Sequence, residues 1–105
     1  MSDVQQTIRD TVEQNRVVLF MKGTKNFPQC GFSHRAVEIL KACAVDFKDV
    51  NVLADPAIRQ GVKDFSAWPT VPQVYVDGKF IGGSDILLEM YNSGELQKLL
   101  EEKKA

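Results

Sequence analysis

The segment Pro28-Gln29-Cys30-Gly31-Phe32-Ser33 joins two stretches with different patterns of apolar residues. Before it, the continuous apolar run at 17–21 predicts a buried strand that leads into a loop. After it, apolar residues recur at the spacing of one helix face, at Ala36, Val37, Leu40 and Cys43. Cys30 is therefore predicted to lie on a loop that enters the first turn of a helix.

The predicted position of Cys30 favours a reactive thiol. The free N–H groups and the positive end of the helix dipole favour an anion at a helix N-terminus. A thiol there is biased toward the thiolate, which is both the nucleophile and the metal ligand. Lys22, at the end of the preceding strand, adds a second positive charge. Ser33 stands where a Cys-x-x-Cys pair has its second thiol, so the site can hold a partner or a metal on sulfur but cannot close a local disulfide.

The composition indicates one globular domain that spans residues 1–105. A net charge of −1, with Lys and Arg scattered, gives no reason to expect nucleic acid or an anionic membrane as a partner. No apolar stretch approaches the ~20 residues of a membrane span, and the first residues resemble neither a secretory signal nor a transit peptide. The two cysteines, Cys30 and Cys43, fit a reducing compartment, and we expect the protein to be cytoplasmic, with a processed organellar form as the alternative.

Helices and strands are predicted in the order α-β-α-β-α-β-β-α-α. The strongest local signals are a capping box from Ser2 to Gln5, Asp55-Pro56 at a helix start, Asp77-Gly78 in a hairpin, and Ser84 as a helix cap. The predicted elements are a helix from 2 to 15, strands 17–21 and 47–52, a helix from 31 to 44, a helix from 56, strands 74–76 and 79–81, a helix from 84, and a helix from 95 to about 102. A parallel βαβ unit followed by an antiparallel hairpin gives an α/β, thioredoxin-like fold with a four-stranded mixed sheet flanked by helices.

Four blocks of the sequence resemble the monothiol glutaredoxins. They are Cys-Gly-Phe-Ser at 30–33, Lys-Gly-Thr at 22–24, Trp-Pro-Thr-Val-Pro at 68–72 and Gly-Gly-Ser-Asp at 82–85, in the order and spacing of that family. The resemblance implies a glutathione site and a [2Fe–2S] cluster that bridges a homodimer. Each subunit would supply the Cys30 thiolate and hold one glutathione whose sulfur is the other ligand, which gives four thiolates in all.

The resemblance also implies which residues bind glutathione. Lys22 and Arg59 would bind its glycyl carboxylate, and the N–H groups of Ser84 and Asp85, at a helix start, would bind its γ-glutamyl carboxylate. Some family members carry a second cysteine at the position of Ser84. This chain lacks that thiol, so the redox chemistry that relies on it is not implied here.

The Trp-Pro-Thr-Val-Pro block implies a further contact with the tripeptide. Val71, preceding a cis Pro72, would offer its backbone N–H and C=O in the manner of a β-strand. Thr70 and Lys63 are nearby candidates without a defined role. Trp68 is interpreted as a packing residue.

His34 and Cys43 each have more than one interpretation. His34 lies at i+4 from Cys30, so a zinc pair or a base for the thiol is conceivable, but an exposed first-turn histidine is favoured because no third ligand is apparent. Cys43 lies on the apolar face near the helix end and is interpreted as a small core residue. A disulfide with Cys30 is not expected, because 13 positions along one helix exceed the ~7 Å that a disulfide bridges between Cα atoms.

Three functions remain as alternatives at this point. The favoured one is an iron–sulfur carrier that passes a labile [2Fe–2S] cluster to acceptor proteins and so serves iron homeostasis, with BolA-type proteins as heterodimeric partners implied by the resemblance. The second is a glutathione-dependent thiol–disulfide oxidoreductase in which Cys30 removes glutathione from proteins, although the family branch resembled here is poor at this reaction. The third is an adaptor that senses glutathione or iron status.

Overall fold

The computed structural model describes residues 3–101, and within that range it contains five helices and four strands. The elements are α1 (Asp3–Gln14), β1 (Val17–Met21), α2 (Gly31–Ala42), β2 (Lys48–Asn51), α3 (Pro56–Ser66), β3 (Gln73–Val76), β4 (Lys79–Gly82), α4 (Ser84–Ser93) and α5 (Glu95–Glu101). This is the predicted order, and it confirms the α/β fold class.

Strand β1 lies inside a four-stranded sheet of order β2-β1-β3-β4. It pairs in parallel with β2 and antiparallel with β3, so that Leu19 lies between Asp49 and Val74. Strands β3 and β4 form the antiparallel hairpin. All five residues of β1 are buried, as its continuous apolar sequence requires of a strand with both faces covered.

The sheet separates two apolar cores. Alternate residues of β1 face opposite sides. Val17, Leu19 and Met21 pack in the core that includes α2, α4 and α5. Val18 and Phe20 pack in the core that includes α1 and α3. This sandwich fixes the end of β1 and the starts of α2 and α4, which carry the predicted site.

Two of the strong local signals are confirmed. The Asp55 side chain accepts a hydrogen bond from the Ala57 N–H at 2.9 Å, with Pro56 as the first residue of α3. Asp77 and Gly78 have φ values of 52° and 81°, the left-handed conformations that a two-residue hairpin turn of this type needs. The predicted cap at Ser2 lies outside the described residues.

The predicted cap at Ser84 is wrong. Gly83 is the N-cap of α4, in an extended conformation with φ −94° and ψ −164°, and it makes no side-chain capping hydrogen bond. Ser84 is the first helical residue instead. Helix α2 also ends earlier than predicted, at Ala42, and Ala44 has a left-handed φ of 56° that cannot continue the helix.

Within residues 3–101, no helix is both long and apolar enough to cross a membrane.

Candidate functional site

Cys30 is the N-cap of α2. Its backbone is extended, with φ −151° and ψ 157°, and its carbonyl accepts the first helical hydrogen bond from the His34 N–H at 2.9 Å. Its sulfur accepts a hydrogen bond from the Ser33 N–H at 3.3 Å, which is the role that a hydroxyl or carboxylate oxygen usually takes at this position. The predicted placement of Cys30 where a loop enters the first turn of a helix is therefore confirmed, although the residue is half-buried rather than fully exposed.

The surroundings of Cys30 favour its ionised form. Burial raises the pKa of the thiol, but three hydrogen bonds outweigh that effect: one from the Ser33 side chain and two from the backbone N–H groups of Ser33 and Phe32. The positive charge of Lys22 adds to them, and the pKa of Cys30 falls below its ordinary value. The thiolate is the form of cysteine that acts as a nucleophile and as a metal ligand, so the lowered pKa favours both kinds of chemistry.

Ser33 has a structural role in the site that was not predicted from the sequence. It is fully buried, and its Oγ accepts a hydrogen bond from the Lys22 N–H at 3.0 Å. The same oxygen lies 3.3 Å from Cys30 Sγ, which donates to it in the thiol form. The sequence signal was available, because the third residue of a helix lies against the cap.

A pocket of about 470 Å³ contains the predicted ligand-binding residues. Its lining includes every residue that the resemblance assigned to glutathione, together with the two nearby candidates: Lys22, Arg59, Lys63, Thr70, Val71, Pro72, Ser84 and Asp85. The sequence reasoning missed the other lining residues, which are Phe32, Pro69, Gly83, Ile86 and, assigned only to packing, Trp68. Cys30 is not itself in the lining, but Phe32 lies two residues away and Ser33 bonds to Lys22.

Two features of the pocket suit carboxylates. Lys22 at the end of β1, with Arg59 and Lys63 on α3, brings three positive side chains to its wall. The first turn of α4 brings free backbone N–H groups, and Gly83 supplies no side chain to cap them. Ser84 is buried, and its hydroxyl has no hydrogen-bond partner in the described chain. Such a pocket fits a ligand that carries more than one carboxylate.

The backbone beside the pocket also matches the prediction. The Val71-Pro72 peptide bond is cis. Val71 is half-buried and precedes β3, whose pairing with β1 reaches Gln73 opposite Phe20. Val71 therefore lines the pocket from the continuation of a sheet strand.

His34 and Cys43 both lie where the favoured interpretations predicted them. His34 has a side chain that is 63% exposed, and its Nε2 lies 4.0 Å from Glu38 Oε2 on the next turn. Cys43 is half-buried against the core that includes α2, and burial raises the pKa of its thiol. Residues 3–101 hold no group of three or more His, Cys, Asp or Glu side chains placed to bind a metal ion.

The fold and the site together define a thioredoxin-like protein with a cysteine at a helix start, near a pocket lined by three cationic side chains. The Glutaredoxin family model matches residues 17–81. The chain is 54% identical over 99 residues to the chloroplastic monothiol glutaredoxin-S7 of rice (Oryza sativa subsp. japonica), covering 94% of this chain and 59% of that protein. It belongs to the monothiol glutaredoxin family.

Two solved structures are also similar to this chain. The solution structure of reduced poplar apo GrxS14 superposes with a TM-score of 0.82 and is 53% identical, covering 93% of this chain and 90% of that one. The crystal structure of a buckwheat glutaredoxin–glutathione complex has a TM-score of 0.82 at 25% identity, covering 92% of this chain and 86% of that one.

Proposed function

We propose that this protein binds glutathione in the pocket and, as a pair of copies, carries a [2Fe–2S] cluster that it delivers to acceptor proteins. The observation that carries the proposal is the half-buried Cys30 thiol, with its lowered pKa, connected through Phe32 and Lys22 to a pocket suited to carboxylates. The similar buckwheat protein was solved in complex with glutathione, which supports this choice of ligand.

Glutathione fits the chemistry of the pocket. It has two carboxylates, and the pocket offers cations on one set of elements and a helix N-terminus on another. Lys22 and Arg59 would bind the glycyl carboxylate, while the N–H groups of Ser84 and Asp85 would bind the γ-glutamyl carboxylate. The backbone of Val71, next to the cis Pro72, would pair with the peptide part of the ligand.

The donor set explains why two copies and two glutathiones are required. A [2Fe–2S] cluster takes four ligands, usually thiolates. The described chain offers one thiolate at the site and no ready-made metal cage. Two Cys30 thiolates and two glutathione sulfurs complete the set, and ligands that are not all part of the protein make the cargo easy to release.

Two exposed aromatic side chains lie within three residues of Cys30 along the chain. Phe27 is 74% exposed and Phe32 is 60% exposed, and both are large apolar groups in the segment around the cysteine. Exposed apolar side chains that form a contiguous patch commonly mark interaction sites. We propose that the second copy, a BolA-type partner or a cluster acceptor contacts the surface that carries Phe27 and Phe32.

The lowered pKa of Cys30 also supports a second function, removal of glutathione from proteins. The Cys30 thiolate would attack the glutathione sulfur of a protein–glutathione disulfide, form a Cys30–glutathione disulfide and release the protein thiolate. A second glutathione thiolate would then attack that glutathione sulfur, which yields glutathione disulfide and frees Cys30. Ser33 provides no thiol for resolution, so glutathione is the resolving agent.

Anaerobic reconstitution with ferrous iron, sulfide and glutathione tests the proposal. We expect a brown protein with the absorption of a [2Fe–2S] cluster, the mass of a dimer, and bleaching when glutathione is removed. A colourless monomer under the same conditions would reject the carrier function. Turnover on a glutathionylated protein, measured in parallel, decides whether the oxidoreductase function accompanies or replaces it.

A further inference from the structure

We propose that Ser33 is a positioning residue that holds both the sulfur of Cys30 and the backbone of Lys22 through one buried hydroxyl. The inference deepens the proposed function, because it concerns the same glutathione site. It differs from capping of the helix, since the cap uses only the Ser33 N–H, which any residue other than proline supplies.

The Ser33 hydroxyl contacts residues at the ends of two different elements, β1 and α2. Lys22 follows β1, and Cys30 precedes α2. The Lys22 N–H can only donate, so the Ser33 oxygen accepts at 3.0 Å, and it lies 3.3 Å from the Cys30 sulfur. Ser33 is 0% exposed, so water does not compete for either contact.

The contact with sulfur changes direction when sulfur gives up its proton. In the thiol form the S–H donates to the Ser33 oxygen. A sulfur that is ionised, or bound to another atom, can only accept, so the Ser33 hydroxyl then donates to it. Because a hydroxyl has two acceptor lone pairs and one proton, the oxygen can accept from the Lys22 N–H in both states, so this one group can serve both contacts.

The side chain required at position 33 is therefore specific. Alanine removes both contacts, and a thiol is a weak acceptor that would hold the Lys22 N–H poorly. Threonine keeps the hydroxyl. Ser93 provides a matched control, because its hydroxyl also accepts a backbone N–H, from Glu95 at 3.3 Å, at an exposed position on α4 away from the pocket lining.

Amide hydrogen exchange of Lys22 in the reduced apo protein is the first measurement. We expect Ser33→Ala and Ser33→Cys to speed exchange of the Lys22 N–H by about tenfold or more, because its acceptor is lost or weakened. Ser33→Thr should preserve slow exchange, and Ser93→Ala should leave it unchanged. If Ser33→Thr does not fold, exchange of the Lys22 N–H in Ser33→Ala and Ser33→Cys, compared with wild type, still tests the inference.

The second measurement follows Cys30 with glutathione disulfide. The Cys30 thiolate attacks one sulfur, a Cys30–glutathione disulfide forms and a glutathione thiolate leaves. For Ser33→Ala we expect a maximal rate about tenfold lower and a half-saturating concentration of glutathione disulfide about threefold higher, whereas Ser93→Ala should change neither parameter.

Exchange at Lys22 and reaction parameters within twofold of wild type in Ser33→Ala would overturn the inference. Neither measurement uses iron, so failure of cluster assembly would reject the carrier proposal and leave the role of Ser33 standing. Normal cluster assembly, together with wild-type exchange and reaction parameters in Ser33→Ala, would support the carrier proposal and reject the role of Ser33.

Discussion

The Ser33 N–H donates to the Cys30 sulfur across 3.3 Å, so the atom that caps α2 is also the atom to which we assign the chemistry of the site. A helix cap prefers an acceptor, and a thiolate accepts more strongly than a thiol. The local requirement of the helix and the chemistry of the site therefore favour the same ionisation state. Cys43, the residue that follows the other end of α2, has no such partner group within residues 3–101, and burial raises the pKa of its thiol.

Alkylation should separate the two cysteines by pH. The pKa of Cys30 is below its ordinary value of 9.0 and that of Cys43 is above it. We expect the rate of iodoacetamide reaction at Cys30 to reach half its maximum below pH 9.0 and that at Cys43 to do so above pH 9.0. Peptide mass spectrometry after timed quenching measures both rates in one sample. Equal pH profiles at the two cysteines would contradict the environment described for Cys30.

The same shift links stability to pH. A thiol whose folded pKa is depressed contributes stability that is fully present above the unfolded pKa and is lost as pH falls through the folded pKa. We therefore expect wild type to gain stability relative to Cys30→Ala as pH rises toward 9.0, within the window set by the lowered pKa. Urea unfolding of both proteins at several pH values measures the difference. A difference that shrinks with rising pH would refute this linkage.

Replacing Cys30 by Ser should abolish function without harming the fold. We expect no cluster and no thiol–disulfide reaction, because the hydroxyl is neither a thiolate ligand nor a nucleophile at neutral pH. The free energy of unfolding should stay within about 0.5 kcal/mol of wild type, because serine is itself a preferred N-cap. Cys43→Ala is the matched control: it should cost about 1 kcal/mol in stability and keep both activities. Loss of the cluster in that control would mean that Cys43 is part of the site.

The pocket cations should contribute to glutathione affinity in roughly equal parts. Lys22 is half-buried and Arg59 is exposed, so each ion pair with a carboxylate is worth about 1 kcal/mol, or about fivefold in affinity. We expect Lys22→Gln and Arg59→Gln each to weaken binding of glutathione by about that factor, as measured by calorimetry. Lys79→Gln, on the hairpin away from the pocket lining, removes the same charge and should leave binding unchanged.

The sequence was sufficient for the fold because local signals agreed with the global pattern. The apolar run of β1 became the strand buried on both faces, and Asp77-Gly78 became the hairpin turn. The sequence was less informative about the residues at which helices and strands begin and end. At α4 the choice between Gly83 and Ser84 as cap depended on how β4 leaves the sheet, which no local pattern contains.

The candidate site was predicted in part. The family motifs located the charged and backbone groups of the pocket, but they did not indicate its apolar wall. Phe32, Trp68 and Ile86 meet there only because α2, the loop before β3 and α4 converge in space. The contact of Ser33 with Cys30 could have been predicted from its place in the first turn of α2, but its contact with Lys22 could not, since it joins positions 11 residues apart.

Gly61 shows where a propensity argument reverses once packing is known. From sequence, Gly61 inside α3 costs roughly 1 kcal/mol relative to alanine, so Gly61→Ala should stabilise the helix. In the structure, an added methyl at 61 would collide with the Val4 side chain on α1 and approach Ile8 Cδ1 to 3.0 Å. Overpacking of this kind costs about 1–3 kcal/mol, which exceeds or cancels the gain.

We therefore expect Gly61→Ala to lower the free energy of unfolding by up to about 2 kcal/mol, as measured by urea denaturation. Gly31→Ala is the matched control and should be neutral or slightly stabilising, since within residues 3–101 no atom beyond its chain neighbours and its own helix backbone lies within 4 Å of an added methyl there. A stabilised Gly61→Ala protein would show that α1 can move away from α3 without loss. The contact between these helices would then be a weak part of the core rather than the reason that a glycine stands at position 61.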